Sequence, residues 1–237
     1  MSGLASLPPS FAETREGLRA LACYAISPAR KVRTGRIGLR STGDGFGTPP
    51  FDGGSRIVVR GDRLVRDPDG GDVAISTVRA AADFLGIELS ADPGVGHDLP
   101  PFTPDADLAV DEAASLALGA WYAYGAAVFD RLPEDVGLVP GEAQIWPEHF
   151  DFAVTLGLDK EHGVNVGFSP GDGFCSEPYL YVGPHAMAGL EGDYWNAPFG
   201  AYRPYNDLQA TDDPVAAALA HIREGLGMLG AGLDAPT

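Results

Sequence analysis

The chain has 237 residues, of which 45% are hydrophobic and 21% charged, and its formal net charge is −17. This balance is typical of a folded globular protein rather than a disordered one, and the length allows one large domain or two small ones. The acidic charge argues against nucleic acid as a partner, and no apolar run approaches the roughly 18 residues that a membrane span needs.

The first residues contain neither the basic flank nor the apolar segment of a secretory signal peptide. Cys23 and Cys175 are the two cysteines, and their separation is not that of metal ligands. We therefore expect a cytoplasmic protein with two reduced thiols, associated with neither membrane nor nucleic acid.

The first part of the chain alternates between helical and extended patterns. Ser10 and Glu13 have capping-box spacing at the start of a helix, and Ser27-Pro28 is expected to end it. The Gly61-Asp62 pair between two β-branched runs is typical of a two-residue hairpin turn. The predicted elements are a helix over 10–26, a strand over 36–40, a hairpin over 55–66, a strand over 73–75 and a helix over 76–86.

Basic residues are concentrated early in the chain. Residues 1–66 contain eleven Lys or Arg and five acidic residues, whereas residues 67–237 contain five basic and 28 acidic residues. A cluster within the first part either holds a phosphate or carboxylate ligand or docks against the acidic remainder of the same chain. Its members are Arg30, Lys31, Arg33, Arg36 and Arg40.

A proline-rich stretch without periodicity divides the chain. It contains four prolines between positions 90 and 107 and is typical of a linker. We therefore predict an α+β half over 1–90, a linker over 91–107 and a second α+β half over 108–237, packed together as one globular unit.

The second half begins with the longest predicted helix, 111–131, which is apolar on nearly every face and is therefore expected to be buried. Two strands with a turn at 159–163, a strand over 177–182, and a final helix beginning near Pro214 follow.

Two eleven-residue segments resemble each other at an offset of 128. Ser41–Phe51 and Ser169–Tyr179 are identical at six positions and share a Gly-Asp-Gly-Phe turn. We interpret them as marks of two pseudo-repeated halves. The predicted fold is α+β, with mostly antiparallel sheets and about four main helices.

A metal site is one interpretation of the histidines in the second half. On a strand, His149 and Asp151 would face the same side, and His185 follows two strands later. Two histidines and a carboxylate are the ligands of non-haem iron sites, so the cofactor would be a divalent metal. The alternative is that His149 and Asp151 fix the end of the strand.

Aromatic residues are dense in the same region, and a few polar residues lie among them. Aromatic residues with a few polar groups among them are typical of a small-molecule pocket, and equally of a sheet face covered by a loop. The candidate ligand-binding residues are Trp146, His149, Tyr179, Tyr181, Trp195, Asn196 and Arg203.

Trp146–Asp151 (W-P-E-H-F-D) and Glu177–Pro184 (E-P-Y-L-Y-V-G-P) resemble motifs of a family of actinobacterial proteins without a known activity. The resemblance implies a bacterial cytosolic protein and transfers no catalytic residue. Three hypotheses follow: a protein that binds a small molecule through the aromatic pocket, a metal-assisted enzyme, and a non-catalytic structural or interaction protein that forms a homodimer.

Overall fold

The structure is a computed structural model that describes residues 4–68, 70–132, 141–157 and 163–230. Within these ranges it is α+β, as predicted, with two antiparallel five-stranded sheets and four long helices. Each sheet follows chain order from strand to strand. No helix of the described ranges is long and apolar enough to cross a membrane. The strands are β1 (Arg40–Ser41), β2 (Gly45–Gly47), β3 (Arg56–Arg60), β4 (Arg63–Asp67), β5 (Asp72–Ala74), β6 (Gln144–Ile145), β7 (Phe152–Leu156), β8 (Val164–Ser169), β9 (Tyr179–Pro184) and β10 (Ala201–Pro204).

The first helix continues beyond its predicted end. It runs from α1 (Phe11–Leu21) through a π-helical turn (Ala22–Ile26) into α2 (Ser27–Thr34). Pro28 does not stop it, because it lies in the first turn of α2 after the π turn has reset the hydrogen-bond pattern. The predicted capping box is also wrong, because Ser10 Oγ donates to Asp111 Oδ1 at 3.0 Å instead of capping α1.

The hairpin and the following helix are confirmed. Arg60 pairs with Arg63 across the Gly61-Asp62 turn, which sets the register of β3 against β4. Helix α3 (Val78–Leu85) begins at Thr77, whose hydroxyl accepts from Ala80 N, and ends at Gly86 with φ 66°. The predicted strand over 36–40 is wrong for most of its length, since β1 contains only Arg40 and Ser41, and Leu39 forms an isolated bridge with Ile145.

Helix α4 (Glu112–Phe129) supplies buried residues to two compact units. The first, here called the N-terminal unit, comprises Ser6–Ala123 and Gln144–Asp151. The C-terminal unit comprises Met1–Ala5, Tyr124–Ala143 and Phe152–Thr237. These bounds differ from the sequence-predicted halves, because residues 91–107 lie inside the N-terminal unit. There Tyr24 donates its hydroxyl to Pro100 O, and Val95 is fully buried.

Three aromatic rings form the centre of the N-terminal unit. Phe150 lies edge-on to Phe46 at 5.2 Å and to Tyr122 at 5.9 Å between ring centroids. The Tyr122 hydroxyl donates to Phe150 O. All three side chains are essentially inaccessible to solvent, so this cluster fixes the positions of α4 and β2 in the unit.

The C-terminal unit packs the end of α4 against β7 and β8. Phe168 lies 5.5 Å from Tyr124 and 5.3 Å from Phe129, and Gly125 leaves the space for its ring. Between β9 and the last helix the chain forms β10 and the short helix α5 (Tyr205–Gln209). Helix α6 (Pro214–Met228) begins as predicted. The predicted 159–163 turn falls mostly on residues 158–162, outside the described ranges.

The two Gly-Asp-Gly-Phe segments begin alike and then diverge. Gly43 has φ 91° and Gly171 has φ 99°, and a serine hydroxyl two residues earlier accepts from each glycine N–H. Phe46 is then buried in β2, whereas 44% of the Phe174 surface is exposed. The segments also join different strand pairs, β1 to β2 and β8 to β9, so the structure gives duplication no strand-by-strand support.

Candidate ligand site: an arginine-lined cavity

A cavity of 370 Å³ lies at one end of the β3–β4 hairpin in the N-terminal unit. This volume is within the range of small-molecule sites. Helices α2 and α3, strands β3 and β4, and the loops next to the strands each contribute to its wall. The lining residues are Arg33, Phe51, Ser55, Arg56, Ile57, Arg66, Asp67, Pro68, Gly70 and Leu85.

The hairpin register places an ion pair in the cavity wall. Arg56 and Asp67 are directly opposed on β3 and β4, and the Arg56 guanidinium donates to Asp67 Oδ2. The same carboxylate oxygen lies 3.8 Å from Arg60 Nη2. Asp67 is three-quarters buried, so this carboxylate holds Arg56 in place and satisfies part of its charge.

A tight loop places Arg33 at a second side of the cavity. Phe51 N donates to Ser55 O at 2.9 Å, and the loop between them closes through Asp52, Gly53 and Gly54, all with positive φ. The Arg33 guanidinium lies 5.5 Å from the centre of the Phe51 ring and 3.5 Å from Asp52 Oδ2. Half-exposed pairs of this length contribute little, so Arg33 keeps most of its capacity for another anion.

Arg66 forms a third side and has no carboxylate partner among the described residues. Its Nε donates to Gly70 O at 3.1 Å, and its guanidinium lies 4.6 Å from the centre of the Phe84 ring. Gly70 is required here because a Cβ would lie 2.2 Å from Arg66 Cβ. The loop after β4 therefore orients Arg66 without neutralising it.

The described wall combines a positive rim with an apolar floor. Three guanidinium groups and one carboxylate give the lining a formal charge of +2, whereas Phe51, Ile57 and Leu85 are buried apolar residues. Asp69, between two lining residues in the sequence, is outside the described ranges. Guanidinium groups bind carboxylates and phosphates through paired hydrogen bonds, so the wall suits an anion attached to an apolar body.

The W-P-E-H-F-D motif forms a turn rather than the predicted strand. Trp146 N donates to Asp151 O at 3.1 Å, Phe150 N donates to Trp146 O, and Phe150 has φ 57°. His149 is exposed, and Asp151 is buried directly before the next strand. The prediction that strand alternation aligns His149 with Asp151 is therefore wrong, because β7 begins only at Phe152.

The turn has a structural role in the N-terminal unit. Arg19 Nε donates to Glu148 O at 2.8 Å, and the Cys23 thiol donates to Pro147 O at 3.1 Å. Burial raises the pKa of Cys23 to about 12, so the thiol stays protonated and serves as a hydrogen-bond donor. Cys23 and Cys175 are both free, as expected.

The proposed metal ligands do not form a metal site in the described part of the chain. No group of three or more His, Cys, Asp or Glu residues there has a geometry that could hold a metal ion. His185 is exposed, and its Nε2 lies 3.3 Å from Asn165 Oδ1. The set of His149, Asp151 and His185 therefore has no support as a metal centre.

Two of the predicted ligand-binding residues, Tyr179 and Tyr181, belong to an aromatic cluster on one face of the second sheet. Phe174, Phe199 and Tyr202 complete this cluster, and its ring centroids lie 5.0 to 6.3 Å apart. The Tyr181 ring covers Gly167, where a Cβ would lie 2.5 Å from the ring. These rings fill the space between one another, which matches the alternative of a covered sheet face.

The other predicted ligand-binding residues of the second half hold loops and helices together. Asn196 Nδ2 donates to Tyr202 O, and its Oδ1 accepts from Tyr202 N. Arg203 donates to Ala217 O at 3.1 Å in α6. Trp195 lies edge-on to Tyr194, whose ring packs 4.8 Å from the ring of His221.

His221, which the sequence did not single out, is a buried neutral histidine. Burial, and to a lesser extent the charge of Arg203, lower its pKa to about 4. The Tyr194 hydroxyl donates to the backbone oxygen of His221. A histidine in a helix with apolar neighbours carries no signal in the sequence that separates it from a surface residue.

The basic cluster of the sequence separates into different environments. Lys31 Nζ donates to Gly94 O at 2.7 Å, which fixes the loop after α3. Arg33 turns toward the cavity. Arg30 is buried, and Arg36 and Arg40 are the charged groups that act on it electrostatically. The cluster is therefore not one binding surface.

Comparison of the chain with known protein families, curated proteins and solved structures finds no match. The resemblance to actinobacterial proteins therefore stays a prediction.

One part of the cavity wall, the Arg56–Asp67 pair, could have been predicted from the sequence of the hairpin. The two-residue turn fixes the register, and that register opposes Arg56 to Asp67 in the sequence alone. The other lining residues, such as Arg33, Phe51 and Leu85, lie outside the two strands of the hairpin. Tertiary packing brings them to the cavity, and the sequence alone does not show this.

Proposed function

We propose that the protein binds a small organic anion in the arginine-lined cavity. The observation that carries this proposal is the convergence of Arg33, Arg56 and Arg66 on one cavity with an apolar floor. A carboxylate or phosphate group would contact the guanidinium groups, and the apolar part of the ligand would contact Phe51 and Leu85. This retains the hypothesis of small-molecule binding and moves the site to the N-terminal unit.

Arg66 is the best residue with which to test the proposal, because it has no carboxylate partner among the described residues and is held by Gly70 O and the Phe84 ring. Phenyl phosphate is a suitable probe, since it joins a dianion to an apolar ring. We expect 1:1 binding by isothermal titration calorimetry, and binding about tenfold or more weaker in Arg66→Gln, because a charge-assisted hydrogen bond is lost.

Arg63→Gln is the matched control. Arg63 lies on the same strand, is similarly exposed, and pairs with Asp72 outside the cavity. Titrations with phenol and with inorganic phosphate measure how much the apolar ring and the anion each contribute to the affinity. Each compound should bind more weakly than phenyl phosphate. Equal loss in Arg63→Gln and Arg66→Gln, or no binding by the unmodified protein, would contradict the proposal.

A further inference from the structure

The Asp67 carboxylate, which lines the arginine-lined cavity, uses one of its two oxygens. Oδ2 accepts from the Arg56 guanidinium and lies 3.8 Å from Arg60 Nη2. Asp67 Oδ1, by contrast, has no hydrogen-bond partner among the residues that the structure describes. An anionic group on a ligand cannot satisfy this oxygen, because both groups only accept hydrogen bonds. A ligand that covers Asp67 must therefore supply a hydrogen-bond donor, or lose affinity through desolvation of the carboxylate.

The surroundings of Asp67 favour a neutral donor over a cationic one. Arg56 and Arg60 are both close to the other carboxylate oxygen, and the described lining, with three arginines and one aspartate, has a formal charge of +2. An ammonium group beside Asp67 would be repelled by these guanidinium groups at short range, which offsets its attraction to the carboxylate. A hydroxyl group avoids this repulsion and still forms a hydrogen bond to a charged acceptor, which is the stronger kind.

We propose that the ligand of the cavity is an organic anion that also carries a hydroxyl group, and that Asp67 is the residue that selects it. Asp67 Oδ1 accepts from the hydroxyl, the guanidinium groups contact the anion, and the apolar floor contacts the body between them. The volume of 370 Å³ is near the lower end of the range of about 300–1,000 Å³ for small-molecule sites, which suits one substituted ring. This inference rests on the proposed function, since it concerns the same cavity.

The test compares aryl phosphates that differ in a single group, by isothermal titration calorimetry of the full chain. Hydroxymethylphenyl phosphate and ethylphenyl phosphate have nearly the same shape, and both are measured as meta and para isomers. At one of these positions the hydroxymethyl compound should bind about fivefold more tightly, because it gains a hydrogen bond to an ionised, partly exposed acceptor. Aminomethylphenyl phosphate should bind more weakly than the hydroxymethyl compound, and tighter binding would overturn the choice of a neutral donor.

Asp67→Asn tests whether this residue is the acceptor. The preference is measured as the ratio of the two affinities, so that the gain from removal of a negative charge cancels. The ratio should fall to about twofold or less in Asp67→Asn, because a charge-assisted hydrogen bond is roughly twice as strong as a neutral one. Ser55→Ala is the control, since Ser55 has the other side-chain acceptor in the described lining, and it should retain the ratio. A ratio that falls in Ser55→Ala and not in Asp67→Asn would overturn the role of Asp67.

Failure of this inference and failure of the proposed function give different results on the unmodified protein. If phenyl phosphate and all the substituted compounds fail to bind, the proposed function is contradicted, and the selection by Asp67 with it. If all of them bind with equal affinity, the cavity binds anions and only the selection by Asp67 is wrong. Arg66→Gln should weaken both members of the matched pair alike, because both phosphates occupy the cavity. A preference that persists in Arg66→Gln without any loss of affinity would place hydroxyl recognition elsewhere and overturn the inference.

Discussion

At the scale of residues, Phe150 explains why the W-P-E-H-F-D motif is placed where it is. Its backbone takes a left-handed conformation that non-glycine residues seldom adopt, with φ 57°. In that conformation the Phe150 ring is fully buried and packs against Phe46 and Tyr122. The motif is therefore an anchor of the N-terminal unit.

Phe150→Ala should lower the free energy of unfolding by about 3–5 kcal/mol, because a buried aromatic side chain is replaced by a cavity. Urea unfolding measures the effect. Phe174→Ala is the control, since that ring is 44% exposed and its removal should cost much less. Similar losses in the two variants would contradict the central position of Phe150.

His221 should make stability depend on pH. Its folded-state pKa, about 4, lies below the ordinary value of 6.5, so the unfolded chain takes up the proton first. The stabilising effect is complete above pH 6.5 and is lost as the pH falls toward 4, by at most about 3 kcal/mol.

Denaturant unfolding between pH 7.5 and 4 checks this effect against His221→Phe, which should lose part of the pH dependence. His97→Asn, which changes an exposed loop histidine, should retain it. An unchanged pH profile in His221→Phe would show that the side chain titrates normally.

At the scale of elements, the β3–β4 hairpin joins predictable local structure to the candidate site. Its turn, strands and register follow from the sequence, and they determine that Arg56 faces Asp67. The continuation of the first helix past Pro28 was not predictable in the same way. It depends on a π turn whose five residues are all buried, and burial by distant elements leaves no local signal.

Asp67→Asn should strengthen phenyl phosphate binding. The substitution releases Arg56 from its carboxylate partner and raises the described cavity charge from +2 to +3. The gain should be about fivefold, the upper range for a partly exposed ion pair, with a stability loss of up to about 1 kcal/mol. Calorimetry and urea unfolding measure the two effects.

Asp72→Asn is the control for that substitution, because Asp72 pairs with Arg63 away from the cavity. It should lose a similar amount of stability without a change in affinity. Weaker binding in Asp67→Asn would mean that the carboxylate positions Arg56 for the ligand instead of competing with it.

At the scale of the whole molecule, the acidic chain contains a cavity with a positively charged lining within its basic N-terminal part. The sequence correctly predicted the fold class, and the charge asymmetry is a property of the sequence itself. The sequence did not predict which of the early arginines converge, because even near neighbours on one helix have different surroundings: Lys31 bonds to Gly94 O, whereas Arg33 lines the cavity. In the same way, the dense aromatic residues of the second half are typical both of a ligand pocket and of a packed sheet face, and the sequence does not distinguish the two.

Ligand binding should protect one unit against hydrogen exchange. With phenyl phosphate, amides of β3 and β4 should exchange more slowly, because these strands form the cavity wall. Amides of β9 and β10, in the C-terminal unit, serve as the internal comparison. Protection confined to β9 and β10 would place the ligand in the aromatic cluster instead.

The most direct test of anion binding in the cavity is a crystal structure of the protein with phenyl phosphate. We expect density for the phosphate group beside the guanidinium groups of Arg33, Arg56 and Arg66, with the phenyl ring against Phe51 or Leu85. A fully occupied ligand elsewhere, with the cavity containing only solvent, would contradict the proposal.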